Sequence, residues 1–180
     1  MTHTSATPDD RGNDSELQRS DPTEVSHLRP LRVLLKAMDN DIARLYDRRG
    51  VAGVRPRFAM ALIRLGRRGP MTIRELADAV DHTHSAMSQT VSALRREGLV
   101  RSVPGADART RRVALTKQAR EVVPFLEAEW AATEQAVAEL DREIPYPLTQ
   151  VVRDMEAALA RRSFLDRISE NLARQDDATS

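Results

Sequence analysis

Leu31, Leu34, Leu35, Met38, Ile42, Leu45 and Tyr46 recur three and four residues apart, with Arg, Lys and Asp between them. That period predicts an amphipathic helix, which Gly50 and Gly53 end. A second helix starts at about Pro56, a residue suited to a first turn, and carries Phe58, Leu62, Ile63 and Leu65. The segment GRRGP at 66–70 stops it. In MTIRELADAV (71–80), Thr72 and Glu75 have the spacing of a capping box, and Ile73, Leu76, Ala77 and Val80 form the inward stripe of a short helix. THSAMSQTVSALRREG (83–98) reads as a helix capped by Thr83 and stopped by Gly98, with Met87, Val91 and Leu94 inward.

The helical rhythm then breaks. LVRSV (99–103) and RVALT (112–116) flank a Pro-Gly turn signal and a group of arginines, which predicts a small hairpin. Thr116 caps a long helix whose stripe is Val122, Val123, Leu126, Trp130, Val137 and Leu140. Pro124 inside it removes a backbone donor and is expected to kink it. IPYP at 144–147 breaks the chain, and a last helix buries Leu148, Val151, Val152, Met155 and Leu159. The first 24 residues lack periodicity and are expected to be a disordered tail, and the last ones a polar tail.

Composition sharpens this picture. Aromatic residues make up only 3% of the 180 residues, so the core must be built from Leu, Val, Ile, Ala and Met, which suits packed helices. The absence of Cys excludes disulfides and thiolate metal sites. The polar, acidic N-terminus has no apolar region of a signal peptide, and no apolar run approaches the ~18 residues of a membrane span, so a cytoplasmic protein is expected. Net charge is +1, but residues 30–82 carry 11 Lys and Arg against 6 Asp and Glu, and residues 83–116 carry 6 against 2. Both flanking segments are acidic. A polyanion would therefore meet residues 30–116.

A short helix, a tight turn and a second helix with a small polar outer face form a helix-turn-helix pattern. Ser85, Ser88, Gln89 and Ser92 are short or flexible, can hydrogen-bond to base edges, and cluster on one side with His84 and, at the end, Arg96. Gln89 could pair bidentately with an adenine, and amides at the Thr83-capped N-terminus can meet a phosphate. A solvated helix face is the alternative. Exposed helices, however, favour Glu, Lys and Arg over Ser and Thr, so this face gives up helix propensity. The hairpin would lie against the adjacent minor groove, with Arg109 in its concentrated negative potential. Strand alternation sends Arg111 and Arg112 to opposite faces, so one of them touches DNA. Asp107 would fix the tip by binding Arg109 or Arg111.

The stretch ELADAVDHTHSAMSQTVSALRREGLVRSVPGADARTRRVALTKQARE (75–121) resembles the DNA-binding core of the MarR family of winged helix-turn-helix regulators. It has the Ser-rich helix, the exit Gly98, Leu99, Val100, the D-x-R of Asp107 and Arg109, then Arg111, Arg112 and the closing Leu115 and Thr116. It departs from the family pattern at Thr110, where an acidic residue often follows the wing-tip Arg, and at His84, where Pro often opens the helix. The resemblance extends, more weakly, from about residue 27 to 168. It implies a mainly α fold with a small β-hairpin wing and N- and C-terminal dimerisation helices. The expected organisation is a tail over 1–24, an N-terminal dimerisation helix over 25–54, a winged helix-turn-helix over 55–116, C-terminal dimerisation helices over 117–169 and a polar tail over 170–180.

The long outer stripes need a partner, and a second copy fits: two recognition helices related by a two-fold axis reach half-sites ~34 Å apart. The function implied is a ligand-responsive repressor binding double-stranded DNA, at a pseudo-palindromic operator, as a homodimer. The resemblance also suggests a small aromatic or phenolic effector in a crevice between the dimer helices and the winged helix, lined by Tyr46, Arg57, Phe58 and Trp130. Each of these four could equally be plain core. No glycine-rich phosphate loop, nucleophile elbow or HExxH occurs, and of the four His residues only His82 and His84 are close, two apart, where a metal would need distant carboxylates as well, so no enzyme, cofactor or metal is expected. The competing reading is a helical dimeric adaptor for proteins without DNA binding, which the basic block at 83–116 disfavours.

Overall fold

The computed structural model describes residues 21–105, 107 and 110–179, in two compact units divided after Gly50. In the first unit, most of the expected N-terminal tail lies outside the described residues. Its end forms a turn, Pro22–Glu24, capped by the Asp21 carboxylate, which accepts from the Thr23 N–H at 2.8 Å. Helix α1 runs Arg29–Arg48 with Pro30 in its first turn. Tyr46 is buried, while Leu31, Leu34, Leu35 and Leu45 stay exposed on the single chain.

The second unit holds the core. A single 3-10 turn at Pro56–Phe58 leads into α2 (Ala59–Arg68), which buries Ala59, Ala61, Leu62 and Leu65. The stop falls within the expected segment 66–70. The helix ends when Gly69 takes a φ of +78°, a left-handed conformation that costs glycine little. Gly66 does something else: a Cβ there would lie 2.9 Å from Cγ1 of Val123, so its missing side chain lets α2 approach the long helix.

Helix α3 (Ile73–Asp78) opens on the expected capping box. The Glu75 N–H donates to Thr72 Oγ1 at 3.1 Å, and the Thr72 N–H donates to Glu75 Oε2 at 2.7 Å. A turn through Asp81 leads to α4 (His84–Arg96). Its inward stripe, Met87, Val91 and Leu94, is almost completely buried. Gly98 adopts φ +68°, and Leu99 N–H closes back on the Leu94 carbonyl at 2.9 Å, the geometry of a Schellman stop.

Strands β1 (Val100–Pro104) and β2 (Arg111–Leu115) pair antiparallel, with Val100 opposite Leu115 and Ser102 opposite Val113. Met71 adds an element that the apolar pattern does not predict. It exchanges both backbone hydrogen bonds with Val113, at 2.7 and 3.1 Å, and so makes a one-residue third strand on the far side of β2. Thr116 then joins three elements. Its hydroxyl donates to the Gly98 carbonyl at 2.9 Å and accepts from the Ala119 N–H at 3.3 Å, capping α5 (Lys117–Glu143).

Helix α5 continues unbroken through Pro124. Val123 and Leu126 are buried as expected, whereas Trp130 and Leu140 on the same stripe are partly open to solvent. Asp141 crosses the IPYP turn to accept from the Leu148 N–H at 2.9 Å and so starts α6 (Leu148–Arg161). The expected stripe of α6 is not buried within the chain: Val151, Val152, Met155 and Leu159 are all exposed.

The C-terminus corrects the expectation of a polar tail from residue 170. Residues Phe164–Thr179 form a further helix, α7. Ser163 and Asp166 cap its start reciprocally, with Asp166 N–H donating to Ser163 Oγ at 3.1 Å and Ser163 N–H to Asp166 Oδ2 at 3.3 Å. Phe164, Leu165, Ile168 and Leu172 give it an apolar stripe, which is exposed.

Candidate nucleic-acid interface

Burying Met87, Val91 and Leu94 fixes the rotation of α4, and the opposite face follows from the helical period. Ser85, Gln89, Ser92 and Arg96 are exposed, as are Thr83 and His84 at the start; Ser88 is half-buried at the edge of the face. Thr83 Oγ1 accepts from the Ala86 N–H at 3.2 Å, so the cap expected there is present despite His84 at the first position. Ser92 donates its hydroxyl proton to the Ser88 carbonyl at 2.8 Å, which leaves the Ser92 oxygen facing solvent as an acceptor. No interaction of the Gln89 amide is recorded among the described residues, so it is available to a ligand.

This face forms one wall of an open depression of about 770 Å³. Ser88, Gln89, Ser92 and Arg96 line it from α4, and Arg57 lines it from the turn that starts α2. Among its lining residues are two arginines and His82 but no carboxylate. Two other depressions of this unit differ in that respect. One, about 240 Å³, contains Trp130, Met60 and Arg64 together with the Arg67–Glu127 ion pair at 2.6 Å. The other includes Glu75 and Asp78. Of these three, the α4 depression is the one lined by positive side chains without a negative one.

The hairpin divides its arginines as strand alternation requires. Arg111 is exposed. Arg112 turns the other way, donating to the Pro70 carbonyl at 3.0 Å and to Glu75 Oε1 at 3.1 Å. Glu75 therefore serves both elements, one oxygen on the Thr72 cap and the other on the wing. Its carboxyl is held below the usual value, chiefly by the Thr72 backbone N–H, with Arg112 adding attraction. At the tip, Thr110 N–H donates to the Asp107 carbonyl at 2.9 Å and Gly105 N–H to the Thr110 carbonyl at 2.8 Å. Asp107 is exposed, and Arg109 lies outside the described residues.

Of the four residues expected around an effector, three lie in the second unit, and there Arg57 and Trp130 line different depressions. Phe58 is completely buried and has no face left for a ligand, with the Arg57 guanidinium 5.2 Å from its ring centre. Arg57 belongs to the α4 depression, and Trp130 to the separate one of about 240 Å³. Tyr46, in the first unit, is buried. Two features had no linear signal. Arg57 reaches the α4 face only through the fold, and the second oxygen of Glu75 finds its partner in a strand far along the chain.

Among the described residues, no three His, Asp or Glu side chains gather as a metal site, and no helix is long and apolar enough to cross a membrane. Residues 52–110 match the sequence model of the MarR family. No curated protein sequence matches the chain. Among solved structures, the chain is similar to the S. aureus MepR–DNA complex, with 17% identity, a TM-score of 0.54, and coverage of 76% of this chain and 95% of that one. It is similar to the M. tuberculosis transcriptional regulator MosR in complex with DNA, with 22% identity, a TM-score of 0.51, and coverage of 77% and 99%. The transcriptional regulator SlyA aligns with 13% identity, a TM-score of 0.52, and coverage of 82% and 99%. At these identities the likeness is one of fold: mainly helical, with a two-stranded wing.

Proposed function

We propose that the protein is a sequence-specific DNA-binding transcriptional regulator of the MarR family, whose sequence model matches residues 52–110. Its work is binding, not catalysis. The observation that carries this reading is the exposed hydroxyl and amide face of α4 set in a depression free of carboxylates. Such a face can lie in the major groove, whose width admits one helix. Gln89 addresses an adenine edge, while Ser85, Ser88 and Ser92 accept more than one base. Thr83, His84 and the first amides of α4 meet the phosphate at the helix start. Arg96 meets the backbone at its end.

The wing follows the same division of labour. Arg109 and Arg111 are its DNA-facing cations, and Arg112 positions the hairpin by its bonds to Pro70 and Glu75. Asp107 stabilises the tip. The apolar stripes of α1 and, separately, of α6 and α7 are covered by a second copy, giving a homodimer that reads a pseudo-palindromic operator in the cytoplasm. It acts as a ligand-responsive repressor. Trp130, beside Met60 and Arg64, is the site for a small aromatic or phenolic effector, which acts by favouring the spacing that does not fit DNA.

The test is a binding titration on the DNA upstream of the protein's own gene. Affinity should fall steeply as salt rises. Arg109→Ala should weaken binding to all sequences, whereas Gln89→Ala should change which base is preferred at one position of each half-site, by about 1–3 kcal/mol. Unchanged binding and unchanged preference in both variants would show the residue assignments to be wrong.

A further inference from the structure

Arg57 stands outside the helix-turn-helix, yet it shares the α4 depression with Gln89, Ser92 and Arg96. We infer that Arg57 is a DNA-backbone clamp, which grips a phosphate flanking the groove that α4 enters. The inference rests on the DNA-binding reading above and adds a contact from an element that the helix-turn-helix does not contain.

Three observations carry it. First, among the described residues Arg57 holds no carboxylate, unlike Arg55, Arg67 and Arg112. Arg55, two residues earlier, is paired with Glu97 at 3.7 Å, just beyond the end of α4. Arg67 is paired with Glu127, and Arg112 with Glu75. Arg57 takes part in no ion pair among the described residues, and it is exposed. Second, its base is rigid. Pro56 fixes the turn, the completely buried Phe58 anchors the next position, and the guanidinium lies 5.2 Å from the Phe58 ring centre. A cation held in this way loses less side-chain freedom on binding than a lysine on an open surface. Third, Arg57 and Arg96 are the depression's two guanidiniums, and no carboxylate lines it. A bound anion there meets attraction without a competing negative group. A polar face that reads bases runs between two phosphate backbones, and most protein–DNA hydrogen bonds go to phosphate and sugar.

The experiment measures salt dependence on two duplexes of equal length, one from upstream of the protein's own gene and one with that sequence scrambled. The proteins are wild type, Arg57→Met, which keeps an apolar stem over Phe58 without charge, and Arg57→Lys. Arg57→Met should flatten the plot of log affinity against log salt by about 0.9 for each bound protomer, on both duplexes. Its affinity deficit per protomer should therefore shrink about threefold between 50 and 200 mM salt. Arg57→Lys should restore most of the slope. A slope unchanged by Arg57→Met, while Gln89→Ala still alters base preference, overturns the clamp and leaves the regulator standing. A change in base preference with Arg57→Met, at constant slope, overturns it too, because the residue would then be reading sequence. Wild type that binds neither duplex removes the DNA-binding reading itself, and the clamp with it.

Discussion

Replacing Gly66 with Ala sets two opposed effects against each other, and the structure decides between them. Alanine is the better helix former by about 0.5–1 kcal/mol, so on propensity alone Gly66→Ala in α2 stabilises. The new Cβ, however, would sit 2.9 Å from Cγ1 and 3.2 Å from Cγ2 of Val123 on α5. Both atoms are short-stemmed branches of a buried β-branched residue, which has one strongly preferred rotamer in a helix and cannot swing away cheaply. Overpacking of this kind costs about 1–3 kcal/mol. The net expectation is a destabilisation of about 1 kcal/mol, or about 2–4 °C in melting temperature for a chain of this size. Urea unfolding followed by circular dichroism at one fixed protein concentration measures it, since association would otherwise shift the midpoint. The decisive comparison is the same substitution made in a Val123→Ala background. With the two methyl groups gone only the propensity gain remains, so Gly66→Ala should there stabilise by about 0.5–1 kcal/mol. An equal effect in both backgrounds, or a gain in the wild-type background, would refute the close approach of α2 and α5.

Thr116→Val should destabilise by about 1–2 kcal/mol, because it removes both the α5 cap and the bond to the Gly98 carbonyl, while Thr116→Ser keeps most of the stability; the same urea titration reads both. The Glu75 carboxyl is lowered in the fold, so its contribution is present above its ordinary value of 4.5 and is lost as pH falls through the lower folded value. Glu75→Gln can still cap Thr72 but cannot pair by charge with Arg112. The stability gap between wild type and Glu75→Gln, followed by thermal melts across pH, should hold at neutral pH and close under acid conditions. A gap that persists in acid would mean that charge is not what joins the wing to α3.

Local chemistry made much of this fold legible. Thr72 with Glu75, Thr83 and Thr116 are caps that a sequence states outright, and Gly98 is a stop for the same reason: each acts through neighbours within a few residues. The rotation of α4 followed from the spacing of three apolar residues. What stayed hidden depends on contacts between distant segments. Met71 forms a one-residue strand, too short to show a period. The segment 66–70 correctly ends α2, but nothing in its sequence shows that Gly66 also admits Val123 from another helix. Helix α7 was hidden because its stripe of Phe164, Leu165, Ile168 and Leu172 dissolves into QDDATS, and charge at the end of a chain resembles a solvated tail. Trp130 followed the core period of α5 but is left partly open to solvent, beside Met60 and Arg64 of α2. Arg57 and Phe58 adjoin in sequence, yet one faces the α4 depression and the other fills the core.

The one-residue strand at Met71 has a consequence for how far the sheet can grow. With both neighbours of β2 in place at Val113, the only long open margin belongs to β1. That margin carries the exposed Arg101 and ends at Pro104, which offers no amide hydrogen to an incoming strand. Further chains therefore find no continuous template there, and the ribbon stays solitary however crowded its surroundings.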